Sequence, residues 1–153
     1  MRALDLKIPP VALTAIFAML MWLIAASVPA LSLALPWRAA LALMSVAAGF
    51  AVALAGVIAF RRAKTTVSPL TPETTSAMVT SGVYGVSRNP MYVGFLLVLI
   101  GWAAFLSHAL AFALLPLFVA YMNRFQIEPE ERALSAKFGG QFQEYRRSVR
   151  RWV

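Results

Sequence analysis

Three uncharged stretches dominate the chain. Val11 to Val28, Ala39 to Phe60 and Met91 to Asn123 hold 18, 22 and 33 residues without a formal charge. Runs of about 20 apolar residues are long enough to cross a bilayer as helices. The third run is too long for one crossing. As a straight helix it would extend about 50 Å, against a hydrocarbon core of about 30 Å. A turn near Ser107-His108 divides it into two arms of roughly 22 Å each. The pattern predicts an all-α, polytopic membrane helix bundle. It has two spans plus a helical hairpin, four membrane helices in all, over about 9–28, 37–60, 91–106 and 109–126. The second helix is rich in Ala and Gly, which lets membrane helices approach closely.

Two polar segments separate or follow these helices. In the first, residues 61–90, Thr71-Pro72-Glu73 reads as an N-cap, a proline at N1 and an acidic first turn, predicting a short helix over about 72–79. A connection of this length is typical of a binding loop or lid. In the second, apolar residues Ile127, Leu134, Phe138, Phe142, Tyr145, Val149 and Trp152 recur at helical spacing. Gly139-Gly140 interrupts them, predicting two helices or a kink in a cytosolic C-terminal helical segment. Arg146, Arg147, Arg150 and Arg151 read as a basic face lying on anionic lipid.

Composition agrees with the membrane reading. Of 153 residues, 61% are hydrophobic and 13% charged; a soluble domain has about a quarter charged. The whole chain, 1–153, reads as a single integral membrane domain. The N-terminal apolar stretch exceeds the roughly 7–15 residues of a signal h-region, so it reads as a span and not a cleaved leader. The net charge of +8 would suit nucleic acid, but its distribution suits a membrane better. With the hairpin, thirteen Lys and Arg residues fall on one side and only Arg38 on the other. That is the positive-inside pattern, and it predicts two cytosolic termini. No nucleic-acid partner is expected; the expected partner is the lipid bilayer. There is no cysteine, which excludes disulfides and thiolate chemistry. The single His108 reads as a polar residue at the hairpin tip, and no metal site is expected.

Candidate chemistry sits where the polar loop meets the third apolar run. Arg88-Asn89-Pro90 enters the hairpin, and Glu128-Pro129-Glu130-Glu131 leaves it. Both therefore lie at one membrane depth. Ionisable groups at that depth are costly and usually belong to a site. A guanidinium facing carboxylates suits a zwitterion carrying an ammonium and a carboxylate. The chain has no GxGxxG after a strand, no GxxxxGK[ST], no HExxH and no GxSxG. Any nucleotide-like cofactor must be held by helices and loops.

Tyr84, Arg88-Asn89-Pro90, Tyr92 and Gly94, followed by Glu130-Glu131, Leu134, Phe138-Gly139, Tyr145 and Val149, resemble the integral membrane methyltransferases. These are the isoprenylcysteine carboxyl methyltransferases and their phospholipid N-methyltransferase relatives. The match spans roughly 79–150, in order and at family spacing. Asn89 resembles the Asn-Pro-Met-Tyr of the phospholipid enzymes, where the prenylcysteine enzymes have Arg-His-Pro. Phe142 stands where a tyrosine is usual, and Arg150 where a proline is usual.

The resemblance implies S-adenosylmethionine as methyl donor and a lipid or lipid-like acceptor entering from the bilayer. It implies donor contacts at Tyr84, Arg88, Asn89, Pro90, Tyr92, Gly94, Glu130 and Glu131. Catalytic roles fall to Arg88, Glu131 and Tyr92, and acceptor contacts to Arg124 and Tyr145. A small basic chain without cysteine suits a bacterial inner membrane. Transfer from a sulfonium is an in-line displacement that needs positioning and exclusion of water, with no protein nucleophile or metal. An amine acceptor must also lose a proton, which Glu131 or Tyr92 could assist. Two other readings are an NADPH-dependent sterol-type membrane reductase, and a non-catalytic membrane assembly protein in which Arg88 and Glu130 form a structural ion pair. Binding of S-adenosylmethionine or of NADPH separates the three.

Overall fold

The computed structural model describes residues 5–63 and 78–153. The expected 72–79 helix and its Thr71-Pro72-Glu73 start lie almost wholly outside the described residues. Among the described residues the molecule is all-helical. Helix α1 spans Pro10–Ser27, α2 Arg38–Arg62 and α3 Pro90–Leu106. Helix α4, Ala109–Tyr121, runs through a π-helical turn, Met122–Ile127, into α5, Glu128–Phe138; α6 is Gly140–Ser148. Three helices are long and apolar enough to cross a membrane: Pro10–Ser27, Arg38–Arg62 and the continuous Ala109–Phe138; Pro90–Leu106 is apolar but shorter.

Local chemistry sets several of these boundaries. Pro10 opens α1 and Pro90 opens α3, each within the first turn, where a missing N–H costs nothing. Ser107, in the left-handed region at φ 48°, ends α3 and reverses the chain at the predicted hairpin turn. Gly139, at φ 51°, separates α5 from α6 at the predicted break. The fourth helix does not stop near residue 126. It continues through the π turn, which absorbs extra chain without ending the helix. Pro129 then has no N–H to give to the preceding turn. The carbonyl of Phe125 instead accepts from the Leu6 N–H at 3.0 Å, docking the N-terminal segment. Arg132 secures that segment through Asp5 at 2.9 Å.

Helix α3 is the centre of the bundle, touching α1, α2 and α4, and most extensively α2. The core around it is buried: Leu13 and Met21 of α1, its own Leu99 and Ala103, and Phe118 and Met122 of the last long helix. The α2–α3 contact is made of glycines. A Cβ on Gly49 would lie 2.6 Å from the carbonyl oxygen of Gly94, and one on Gly94 would lie 2.6 Å from that of Gly49. Gly101 fits against the Ala42 carbonyl and Val46 one helical stretch away. Ser45 adds a hydrogen bond to the Leu97 carbonyl at 2.7 Å. Backbones this close gain dispersion and polar contact that bulkier side chains would forfeit.

The hairpin tip is stitched to the loop between α1 and α2. The Leu33 N–H donates to the Ser107 carbonyl at 2.6 Å, and Ser32 and His108 form an isolated antiparallel bridge. His108 lies at the hairpin tip as expected and is fully buried there, with Nε2 2.8 Å from the Val28 carbonyl. A ring reaching the end of α1 replaces water with a backbone partner.

Candidate functional site

The opposite end of the bundle gathers the polar residues. The segment Gly82–Gly85 forms one 3₁₀ turn that buries Tyr84. Its ring meets Phe60 edge-on at 5.2 Å, and its main-chain carbonyl accepts from the Tyr145 hydroxyl at 2.7 Å. Burial pushes the Tyr145 phenol up to about 12, so it remains a donor in this bond. Burial raises the Tyr84 phenol as well. Two turns of chain, one before α3 and one in α6, are thereby locked together.

Arg88 follows directly. Its Nη2 donates to Glu131 Oε1 at 2.8 Å in a pair only 10% exposed on either side. Its Nη1 donates to the carbonyls of Arg146, at 3.0 Å, and Val149, at 2.8 Å. Its Nε is buried and has no partner. Glu131 also accepts from Arg151, Nη2 to Oε2 at 2.7 Å and Nε to Oε1 at 3.3 Å. One carboxylate thus holds two guanidinium groups. Coulomb attraction at this separation, with little water between, explains why the three charges are tolerated away from solvent.

The neighbouring carboxylate faces elsewhere. Glu130 Oε1 accepts a short hydrogen bond from the Tyr92 hydroxyl and one from Gln126 Nε2 at 2.9 Å. Gln126 reaches it because the π turn and α5 stack residues 126 and 130 on one face. Asn89 does not cap α3 with its side chain. Its Nδ2 donates instead to the Arg151 carbonyl at 2.8 Å.

The chain beyond Ser148 is extended, not helical. Arg150 pairs with Ser87 in a parallel bridge, and its carbonyl accepts from the Arg88 N–H at 3.0 Å. Trp152 gives its indole N–H to Asn123 Oδ1 at 2.9 Å. The expected lipid-facing helix therefore stops short, because main-chain partners at 87–89 are better placed for this tail than its own preceding turn.

The structure brings together most residues singled out from sequence. Arg88, Glu131 and Asn89 form one network through Arg151, Tyr92 joins Glu130, and Tyr145 joins Tyr84, all at the same end of the bundle. Pro90 starts the helix that carries Tyr92. Gly94 lies one turn deeper, against Gly49, and has a packing role there. Arg124 pairs with Glu128 at 2.7 Å and lies over the Phe125 ring, on the helix face that leads to the N-terminal segment. The ion pair of the non-catalytic reading exists, with Glu131 and not Glu130 as the acid. Gln126 bonds to Glu130 and Arg151 to Glu131, and Trp152 bonds to Asn123, although sequence reasoning does not place Gln126, Arg151, Asn123 and Trp152 at the site. Asn123 and Gln126 carry a signal, being amides at the end of an apolar helix. Arg151 carries none beyond its charge.

A half-open cavity of about 530 Å³ lies along the last turns of α2, lined mainly by Ala55, Ile58, Ala59, Arg62, Ser81 and Val83. Its wall is apolar along α2 and polar at Arg62 and Ser81. It adjoins the turn that carries Tyr84.

The phospholipid methyltransferase family model matches residues 37–141. The matched part covers α2, the hairpin and both carboxylates. A protein of Haemophilus influenzae, described only as uncharacterized, is 40% identical over 63 residues; the match covers 41% of this chain and 100% of that protein. No solved structure matches the chain.

Proposed function

The chain belongs to the phospholipid methyltransferase family, and on that premise we propose that it moves a methyl group from S-adenosylmethionine to a lipid-like acceptor at the cytosolic face of a bacterial inner membrane. The observation that carries this reading is the pairing of Arg88 with Glu131 beside the pairing of Tyr92 with Glu130. Two cationic and two acidic groups converge at the mouth of an otherwise apolar bundle. A donor with an amino-acid end needs such a mixed set. The residues fit it: Arg88 has a buried N–H without a partner, suited to an oxygen acceptor, and carboxylates lie one residue apart on α5.

In this reading Tyr84, Arg88, Asn89, Pro90, Tyr92, Glu130 and Glu131 shape the donor pocket, with Gly94 packing α3 against α2 beneath it, and Tyr145 and Arg124 border the acceptor. S-Adenosylmethionine supplies an activated methyl group on a sulfonium. The protein's task is to orient it and exclude water, which can supply much of the rate without a protein nucleophile. Tyr92 and Glu130 form the pair best placed to take a proton from an amine acceptor; Glu131, with both oxygens on arginines, is better suited to holding the pocket in shape. The cavity along α2, apolar with a polar rim, supports sideways entry of an acceptor from the bilayer. We place four helices in the membrane and both termini in the cytosol.

The test is a titration of purified protein with S-adenosylmethionine and with NADPH, followed by mass spectrometry of lipid extracts incubated with isotopically labelled donor. Binding of the first alone, with label appearing in a lipid, is the expected result. Binding of NADPH alone would replace this reading with the reductase.

A further inference from the structure

Glu130 and Glu131 are consecutive on α5, so their side chains leave the helix about 100° apart. One reaches Tyr92 and Gln126; the other reaches Arg88 and Arg151. The rotation of α5 that serves one carboxylate also sets the other. Arg88 holds Glu131 by a single oxygen, whereas Arg151 touches both, at 2.7 and 3.3 Å. The two-point grip fixes orientation as well as distance.

Arg151 is itself held in place. Its carbonyl accepts from Asn89 at 2.8 Å, and the carbonyl before it accepts from the Arg88 N–H at 3.0 Å. The next residue, Trp152, bonds to Asn123 on the π turn that also carries Gln126. The five-residue tail after Ser148 therefore ties the entrance of the hairpin to its exit.

We propose that Arg151 is a positioning residue for methyl transfer, acting through Glu131 to fix Glu130 and Tyr92, with Trp152 acting in the same way through Asn123 on the π turn. The proposal rests on the reading of this end of the bundle as the transfer site. A displacement of even 1 Å at a reacting centre can cost about a hundred-fold in rate. A tail that sets α5's rotation therefore acts on turnover more than on donor binding. Lysine at position 151 keeps the charge but presents one ammonium in place of a planar fork, so it restores the hold only in part.

The experiment compares the full chain with Arg151→Ala, Arg151→Lys and Trp152→Phe in vesicles of bacterial lipid. Hydrogen exchange is read without donor, and methyl incorporation is read with labelled S-adenosylmethionine. Arg151→Ala is expected to exchange faster over 146–152 with helix content unchanged. Its kcat should fall about ten-fold or more, with donor KM within about three-fold. Arg151→Lys should regain part of the loss, and Trp152→Phe should move kcat in the same direction by less. Unchanged turnover in Arg151→Ala overturns the proposal. So does a loss that follows the folded fraction and is not eased by lysine. If the unmodified protein takes no methyl group, the functional reading fails, and equal exchange in the two proteins would independently sink the clamp.

Discussion

Glu131 is bound by two guanidinium groups at once, and that asymmetry ranks its variants. Arg88→Ala leaves Glu131 paired with Arg151. Glu131→Gln leaves two buried or half-buried arginines facing each other without an anion. Removing one partner of a buried ion pair typically costs about 3–5 kcal/mol. Glu131→Gln should therefore lower thermal stability more than Arg88→Ala, and both should weaken S-adenosylmethionine about ten-fold or more. Calorimetric titration alongside thermal unfolding measures both effects; full affinity in both variants removes these residues from the donor site. Tyr92→Phe deletes a donor to Glu130 while keeping the ring in the core. A buried acceptor deprived of one hydrogen bond costs about 1–3 kcal/mol. With an amine acceptor, Tyr92→Phe and Glu130→Gln should both reduce kcat, and combining them should add little. Additive losses would show that the two do not act together. Arg88, Tyr92 and the carboxylates are legible in the sequence because they sit at the ends of one apolar run and so share a depth. Arg151 is not, because its partner lies 20 residues away across a glycine break and a tail that folds back. The burial of His108 is not legible, because a lone polar residue in a turn gives no sign that Val28, 80 residues away, will cover it.

Among the helices, the α2–α3 contact offers the sharpest test. Gly49→Ala and Gly94→Ala each place a methyl group against the other's backbone carbonyl, which cannot rotate away. Overpacking of this kind costs about 1–3 kcal/mol. Gly56→Ala should cost less, since it meets the flexible Met91 side chain, and Gly85→Ala, in ordinary contact, should be near neutral. Thermal unfolding in detergent ranks the four; equal losses would mean that the crossing does not depend on backbone proximity. The first three apolar helices are readable within a few residues because an uncharged run of that length is rarely stable outside a bilayer; the fourth is readable at its start only, since it runs on to Phe138. The π turn is not, because nothing in spacing distinguishes an absorbed residue from a helix end. Nor is the extended tail, whose Val149 and Trp152 keep helical spacing although the helix stops at Ser148. Periodicity records which positions are covered, and it is silent on whether a helix neighbour or a returning strand covers them.

For the whole molecule, the distribution of Lys and Arg, thirteen to one, sets the expected orientation. Single cysteines are informative because the chain has none. A membrane-impermeant maleimide should reach a cysteine at Ala34 from outside an intact cell and one at Val153 only after the membrane is opened. Outside labelling at Val153 would overturn the hairpin topology. The proposed entry of the acceptor along α2 is tested by its chain length. Among acceptors of equal head group, turnover per unit concentration should rise with chain length. A short water-soluble acceptor performing best would defeat entry from the bilayer.

The touching backbones of Gly49 and Gly94 also limit how this protein can diversify. A distance already at van der Waals contact cannot shrink, and any side chain added there can only widen it. A graded change in the spacing of these two helices therefore has no path through this seam. Change must come instead at the open flank of α2, at Ala55, Ile58 and Ala59, where substitutions alter the shape of a cavity without moving a helix. Within the lineage of this chain, the glycine pair should stay fixed while that flank drifts.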